Sequence, residues 1–325
     1  MTKKIKVLML SATILFGSMG LVGCTSTDTN ISEGEKLKTT LILDEGGVND
    51  QSFNQSAWEG ALEAKEKYNV EVSYMESKQE SEYMPNIENA IDLGSDLIIG
   101  VGFKLTDTIL EAALAYPDQK FAIIDGSYED IPDNVSCILF NEEQAGYAVG
   151  LVAAEMTKTN VVGFIGGMDV PSVSNFLTGF QIALNEVNPG VKVLSQYANS
   201  FTDAAKGKAI SEQMISDNAD IIFTAGGGVN MGAFEAAREK NIKAIGVDMP
   251  SNYIAPDIII TSALKNVGTG VESTIKDLVD DTFKSGVSMF DLSNGGVGFE
   301  KTDLLSNDLI EKVETKINNI LKIEK

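Results

Sequence analysis

The residues of this sequence best placed to do chemistry stand where short apolar runs stop. Asp44 closes the run that starts at Thr39, Asp125 closes Phe121-Ala-Ile-Ile, Asp248 closes Ala244-Ile-Gly-Val, and Lys265 closes Thr261-Ser-Ala-Leu. Ionised carboxylates only accept hydrogen bonds and an ammonium only donates them, so such a set can read the hydroxyl and N–H groups of a small ligand. Each has a plainer alternative: turn or capping roles for Asp44, Asp125 and Asp248, and a solvated surface for Lys265. The 325 residues include no histidine. That excludes serine–histidine and cysteine–histidine nucleophile pairs and removes the commonest metal ligand. An enzyme built on this chain would have to work with carboxylates, lysine or tyrosine alone.

The elements that must position these groups are legible as a rhythm. Apolar runs at 39–43, 70–74 and 96–101 alternate with stretches of helical period at 56–68 and 83–93, and the alternation restarts near Val161. Strands alternating with helices predict βαβ units and a mostly parallel sheet covered on both faces. An internal repeat sharpens the expectation. Residues 95–102 (SDLIIGVG) align with 219–226 (ADIIFTAG), Glu-Ala-Ala follows at 111–113 and again at 235–237, and both copies run into a strand closed by aspartate, Asp125 and Asp248. Residues 39–44 and a helix containing Gly60 pair likewise with 161–166 and a helix containing Gly179. The expected fold class is α/β, with two doubly wound, Rossmann-like lobes and a ligand cleft between them. In open α/β sheets ligands bind beyond the carboxyl ends of the strands, where the strand order reverses.

The first strand leads into a Gly-rich turn and a helix. Gly46 and Gly47 permit a tight turn, and Phe53 and Asn54 fall at the first helical turn. The turn is neither a G-x-G-x-x-G fingerprint nor a phosphate-binding loop. Phe53 could pack into the core there or face a ligand. The stretch GGVNDQSFNQSAWEG at 46–60, with FIGGMD at 164–169, DAAKGK at 203–208 and TSALK at 261–265, resembles the basic membrane protein family. These are substrate-binding lipoproteins of ABC uptake systems, purine nucleoside receptors among them, and they are similar to type I periplasmic sugar-binding proteins.

The resemblance covers essentially all of the chain after its first segment. It implies a nucleoside ligand, purine before pyrimidine, with Phe53 on one face of the base and Phe201 on the other; Phe176 is a weaker second wall. It further implies that Asp248 takes the ribose hydroxyls and that Asp125, Asp44 and Asn54 read base or ribose groups. Gly226 would bring backbone against the sugar, and Lys265 would donate to sugar oxygens while offsetting the carboxylates. No cofactor is implied, and the protein partners would be an ABC permease and its ATPase. A sugar or furanose-like ligand, a sensor that signals to another membrane partner, and a nucleoside hydrolase built on the aspartates remain as alternatives. Phe201 could instead pack against its own helix, Trp58 reads as packing, and Asp169 and Asp203 read as helix caps.

Residues 1–23 have the build of a secretory signal: Lys3, Lys4 and Lys6, then an apolar run, then small residues. The run is too short for a comfortable membrane span. Leu21-Val22-Gly23-Cys24 resembles the bacterial lipobox, which implies cleavage before Cys24 and a lipid on its thiol. Residues 24–37 would then be a flexible tether on the extracytoplasmic face of the cell membrane. An ordinary signal with an incidental cysteine is the alternative. Residues 38–140 with about 266–290 are expected to form the N-terminal lobe, and 141–265 with about 291–325 the C-terminal lobe, with the segment 261–265 crossing back between them. Cys137, the other cysteine, lies in an apolar run and is expected in the core, so a lipidated Cys24 leaves no intrachain disulfide. The net charge of −22 argues against nucleic acid and anionic lipid headgroups as partners. A monomer is expected.

Overall fold

The computed structural model describes residues 36–323. The signal segment, Cys24 and most of the expected tether lie outside the described residues. Leu37 already packs against the core, and its carbonyl accepts from the Glu71 N–H at 2.8 Å.

Strands and helices alternate along the chain as β1 (Lys38–Leu43), α1 (Phe53–Tyr68), β2 (Glu71–Glu76), α2 (Tyr83–Asp92), β3 (Leu97–Val101), α3 (Thr106–Ala115), β4 (Lys120–Ile124) and β5 (Val135–Phe140). After α4 (Glu142–Met156) come β6 (Val161–Gly166), α5 (Pro171–Val187), β7 (Lys192–Tyr197), α6 (Ala204–Ser216), β8 (Ile221–Ala225), α7 (Val229–Lys240), β9 (Lys243–Asp248) and β10 (Ile259–Lys265). The chain ends with α8 (Val267–Val279), β11 (Gly286–Phe290), β12 (Val297–Phe299) and α9 (Asn307–Ile323).

These strands form two six-stranded sheets, in the orders β11-β5-β4-β3-β1-β2 and β12-β10-β9-β8-β6-β7. Neighbouring strands pair in parallel except β10 and β12. The central strands β3 and β8 are buried along their whole length. That is why they read as unbroken apolar runs rather than as alternating ones. The edge strands β2 and β7 are largely exposed and carry Glu71, Glu76 and Lys192, which discourages pairing with another chain. The strand order reverses between β1 and β3 in one sheet and between β6 and β8 in the other, so both binding crevices open at the same kind of place.

The chain passes between the sheets by α4, by α8, and by the turn from β11 to β12. Each crossing helix is held by a close backbone approach. A Cβ on Gly60 would lie 2.2 Å from the Gly268 carbonyl oxygen, and one on Gly179 would lie 1.8 Å from that of Glu143. Glycine at 60 therefore lets α1 lie directly on α8, and glycine at 179 lets α5 lie directly on α4. These repeat-related contacts seat the first turns of the crossing helices α8 and α4 against the middles of α1 and α5, and so place Glu142 at the start of α4.

The segment 261–265, expected to run between the lobes, is part of strand β10 inside the second sheet. Its neighbours are β9 and the three-residue β12, and the crossing begins only at Asn266. Cys137 is fully buried, and burial pushes its thiol up to about 11.

Candidate functional site

The ends of β1, β3 and β4 in one lobe face the ends of β6, β8, β9 and β10 in the other across a single cavity. Asp44, Phe53, Asn54 and Asp125 line it from one side, and Phe201, Gly226, Asp248 and Lys265 from the other. All eight residues singled out from the sequence therefore meet there, although they span 221 positions of chain between Asp44 and Lys265.

The aspartates are presented by backbone. Asp125 and Asp248, one position apart in their relation to β4 and β9, adopt the same left-handed conformation, with φ of 62° and 63°. Aspartate tolerates this region better than most residues. The repeat seen in the sequence is thus a repeat of backbone geometry.

Lys265 is 1 % exposed. Its Nζ donates to Asp125 Oδ2 at 2.6 Å and to Glu142 Oε1 at 2.8 Å, and lies 5.3 Å from the centroid of the Phe53 ring. Burial by itself would lower the ammonium's pKa, but the carboxylates of Asp125, Glu142 and Asp248 prevail and hold it above its ordinary value. Burial raises Asp125 to about 6; Lys265 opposes this and Glu142 adds to it. Asp248 is raised to about 7, again chiefly by burial, with Lys265 and the Ser52 hydroxyl pulling it down and Asp50 and Asp125 pushing it up.

Also lining the cavity, Asn54 Nδ2 donates to Asp44 Oδ1 at 2.8 Å, and the Gly46 N–H donates to the same oxygen at 3.0 Å. Because Asp44 accepts from the amide nitrogen, Asn54 Oδ1 must point elsewhere. That oxygen and Asp125 Oδ1 are both buried without a hydrogen-bond partner. Buried polar atoms are rarely left so, and two orphan acceptors in one cavity call for donors on whatever fills it.

The remaining walls are aromatic and aliphatic. Phe201 lies against the end of β6, where a Cβ on Gly167 would come within 2.3 Å of its ring, so that strand end must be glycine for the ring to sit there. Phe103 meets Phe201 edge-on, with centroids 6.2 Å apart. Phe176 also lines the cavity, but it is 2 % exposed and packs edge-on against Phe223, which makes it part of the core beneath. Trp58 packs against Tyr74, and Asp203 caps α6 by accepting from the Lys206 N–H at 3.0 Å.

Residues 37–325 match the family of PnrA-like ABC transporter substrate-binding proteins. The chain belongs to this family. It is 34 % identical to an ABC transporter nucleoside-binding protein of Lactococcus lactis, with 97 % of each chain covered. It is 35 % identical to basic membrane protein A of Borreliella burgdorferi, over 98 % of this chain and 94 % of that one. Among solved structures, a solute-binding protein of an ABC transporter system from Aeropyrum pernix superposes with a TM-score of 0.82 at 27 % identity, over 89 % of this chain and 92 % of that one.

Membership in the PnrA-like family makes the protein the solute-binding component of an ABC transporter, with a small-molecule ligand and a permease as partner. The architecture agrees with the expected type I periplasmic binding fold. The sequence did not reveal Asp50 and Phe103, which line the cavity, or Ser52 and Glu142, which bond to its Asp248 and Lys265. Among the described residues, no group of histidine, cysteine and acidic side chains is arranged to hold a metal ion.

Two predictions follow from the charges. Lys265→Met leaves Asp125 and Glu142 buried without their cation and should lower unfolding free energy by about 3–5 kcal/mol, read by urea titration. Adding Asp125→Asn and Glu142→Gln should restore most of that loss, and a lone Lys265→Met as stable as wild type refutes the account. The second concerns pH. In the folded chain Asp248 titrates near 7 against an ordinary 3.8, so between those values the folded state holds a proton that the unfolded state has released. Its contribution to stability is complete at the acid end and is lost as pH rises through 7. Ligand-free Asp248→Asn should therefore lose less melting temperature between pH 5 and 8 than wild type does. Parallel curves would show that Asp248 carries none of the dependence.

Proposed function

We propose that the protein captures a nucleoside, purine before pyrimidine, and hands it to an ABC permease without altering it. The observation that carries this reading is the cavity's division of labour. Phe53 and Phe201 are supplied by opposite lobes, while carboxylates and orphan acceptors gather around Lys265 and around Asn54. A flat aromatic base fits between rings, where stacking contributes about 1–3 kcal/mol per base and tolerates different bases. A sugar with vicinal hydroxyls fits the acceptors, since an ionised Asp248 offers lone pairs to both. The relative in Lactococcus lactis is itself named a nucleoside-binding protein.

Capture works by closure of the lobes about the crossings, because Phe53 and Phe201 reach one ligand only when the lobes are together. The protein acts as a monomer held on the outer face of the membrane by a lipid on Cys24. Among the described residues no helix is long and apolar enough to cross a membrane; the anchor reading rests on the sequence at 21–24.

Calorimetric titration of the soluble body with inosine, guanosine, adenosine, free bases and ribose tests the ligand. Nucleosides should bind far more tightly than ribose, and Phe201→Ala should weaken them by about tenfold or more. Ribose binding as tightly as inosine would end the nucleoside reading. The anchor is tested separately in cells: wild type should sediment with membranes and incorporate labelled palmitate, and Cys24→Ser should do neither. Unchanged partitioning and labelling of Cys24→Ser rule the anchor out.

A further inference from the structure

Ser52 occupies the N-cap position of α1, where a serine ordinarily accepts from the N–H groups of the first turn. Here its side chain makes no capping bond. Asp50 does the capping instead: Oδ2 accepts from the Asn54 N–H at 2.9 Å, and Oδ1 from the N–H groups of Gln55 at 3.0 Å and of Ser52 itself at 2.9 Å. The hydroxyl so released donates to Asp248 Oδ2, across the cleft from the other lobe. Both residues are buried, at 1 % and 7 % exposure, so this bond does not compete with bulk water.

The other strand-end aspartate is held in the same manner. Asp125, in the first lobe, receives Lys265 from the second, as Asp248, in the second, receives Ser52 from the first. Each left-handed aspartate thus has one oxygen engaged by a donor of the opposite lobe. For Asp248, whose backbone is fixed as the last residue of β9, the Ser52 bond sets the remaining rotation of the carboxylate.

We infer that Ser52 is the positioning residue for sugar recognition. By engaging Oδ2 it aims the carboxylate of Asp248 at the ligand's vicinal hydroxyls, and because it comes from the opposite lobe, it does so only when the lobes have met. This rests on the nucleoside reading of the cavity. It makes the sugar hydroxyls the part of the ligand that senses closure.

The test compares inosine with 2′,3′-dideoxyinosine, which keeps the base and lacks the diol, by calorimetry on wild type, Ser52→Ala and Ser52→Cys. Loss of one hydrogen bond to a charged group should weaken inosine binding by about tenfold in Ser52→Ala. Dideoxyinosine should lose less than about threefold. Ser52→Cys keeps the side chain's volume with a weaker donor and should show the same pattern in smaller measure. It carries the comparison if melting shows that Ser52→Ala is unfolded. Equal losses for the two ligands overturn the inference, because Ser52 would then act on the fold or on closure as a whole. Undiminished inosine binding in both variants overturns it too. Wild type that binds neither nucleoside overturns the nucleoside reading itself, an outcome distinct from either.

Discussion

A single buried ammonium organises this protein. Lys265 cannot lie 1 % exposed without anionic company, and its company comes from two places: Asp125 just beyond β4 and Glu142 at the start of α4. The end of β10, the end of β4 and the first turn of a crossing helix must therefore converge. That convergence is the floor of the cleft. Two carboxylates bonded to one cation, with Asp248 near enough to influence it, leave the floor rich in acceptors, so its natural complement is a ligand that brings donors. Burial raises the pKa of both strand-end aspartates, and this is the electrostatic cost of burying so many acceptors together.

The close packing of the crossing helices serves the same convergence. Glu142 reaches Lys265 because the start of α4 is pressed onto α5 at Gly179, and α1, which Phe53 begins, is held two turns further along by the start of α8 at Gly60. A helix displaced by the width of one methyl group would move a first-turn side chain by a comparable distance, which is more than a hydrogen bond of 2.8 Å tolerates. Repeat-related glycines in the helices and repeat-related aspartates at the strand ends are two levels of one duplicated design.

What the sequence could reveal follows from what is local. Alternating strands and helices, and a duplicated motif closed by Asp125 and Asp248, are properties of neighbouring residues, and the two-lobed fold was readable from them. Phe201 was not: it sits in a loop, and the glycine that admits its ring, Gly167, lies just past the end of β6, 34 positions earlier. Only the family resemblance singled it out. Glu142 reads as an ordinary first-turn acid, favourable beside a helix N-terminus, until β10 arrives 123 positions later. Ser52 is hidden by its own suitability as a cap, and only the fold shows that Asp50 holds that role. The segment 261–265 was misplaced because its partner β12 is three residues long and antiparallel, too brief to announce that the sheet continues past β9.

On the proposed reading, the division of the site between lobes is what couples binding to closure. A ligand shifts an equilibrium between open and closed forms only by the difference in its affinity for the two. Had both rings and all the carboxylates stood on one lobe, a nucleoside could bind tightly and leave the equilibrium untouched. Here Phe53, Asp44 and Asn54 belong to one lobe and Phe201, Asp248 and Gly226 to the other, so a ligand held as proposed would touch both lobes at once. Even the protein's own bonds at the site obey this rule, Lys265 to Asp125 in one direction and Ser52 to Asp248 in the other. They hold the lobes in register without filling the space between the rings. On the proposed reading, the aromatic pair is then the part of the closed state that the ligand completes.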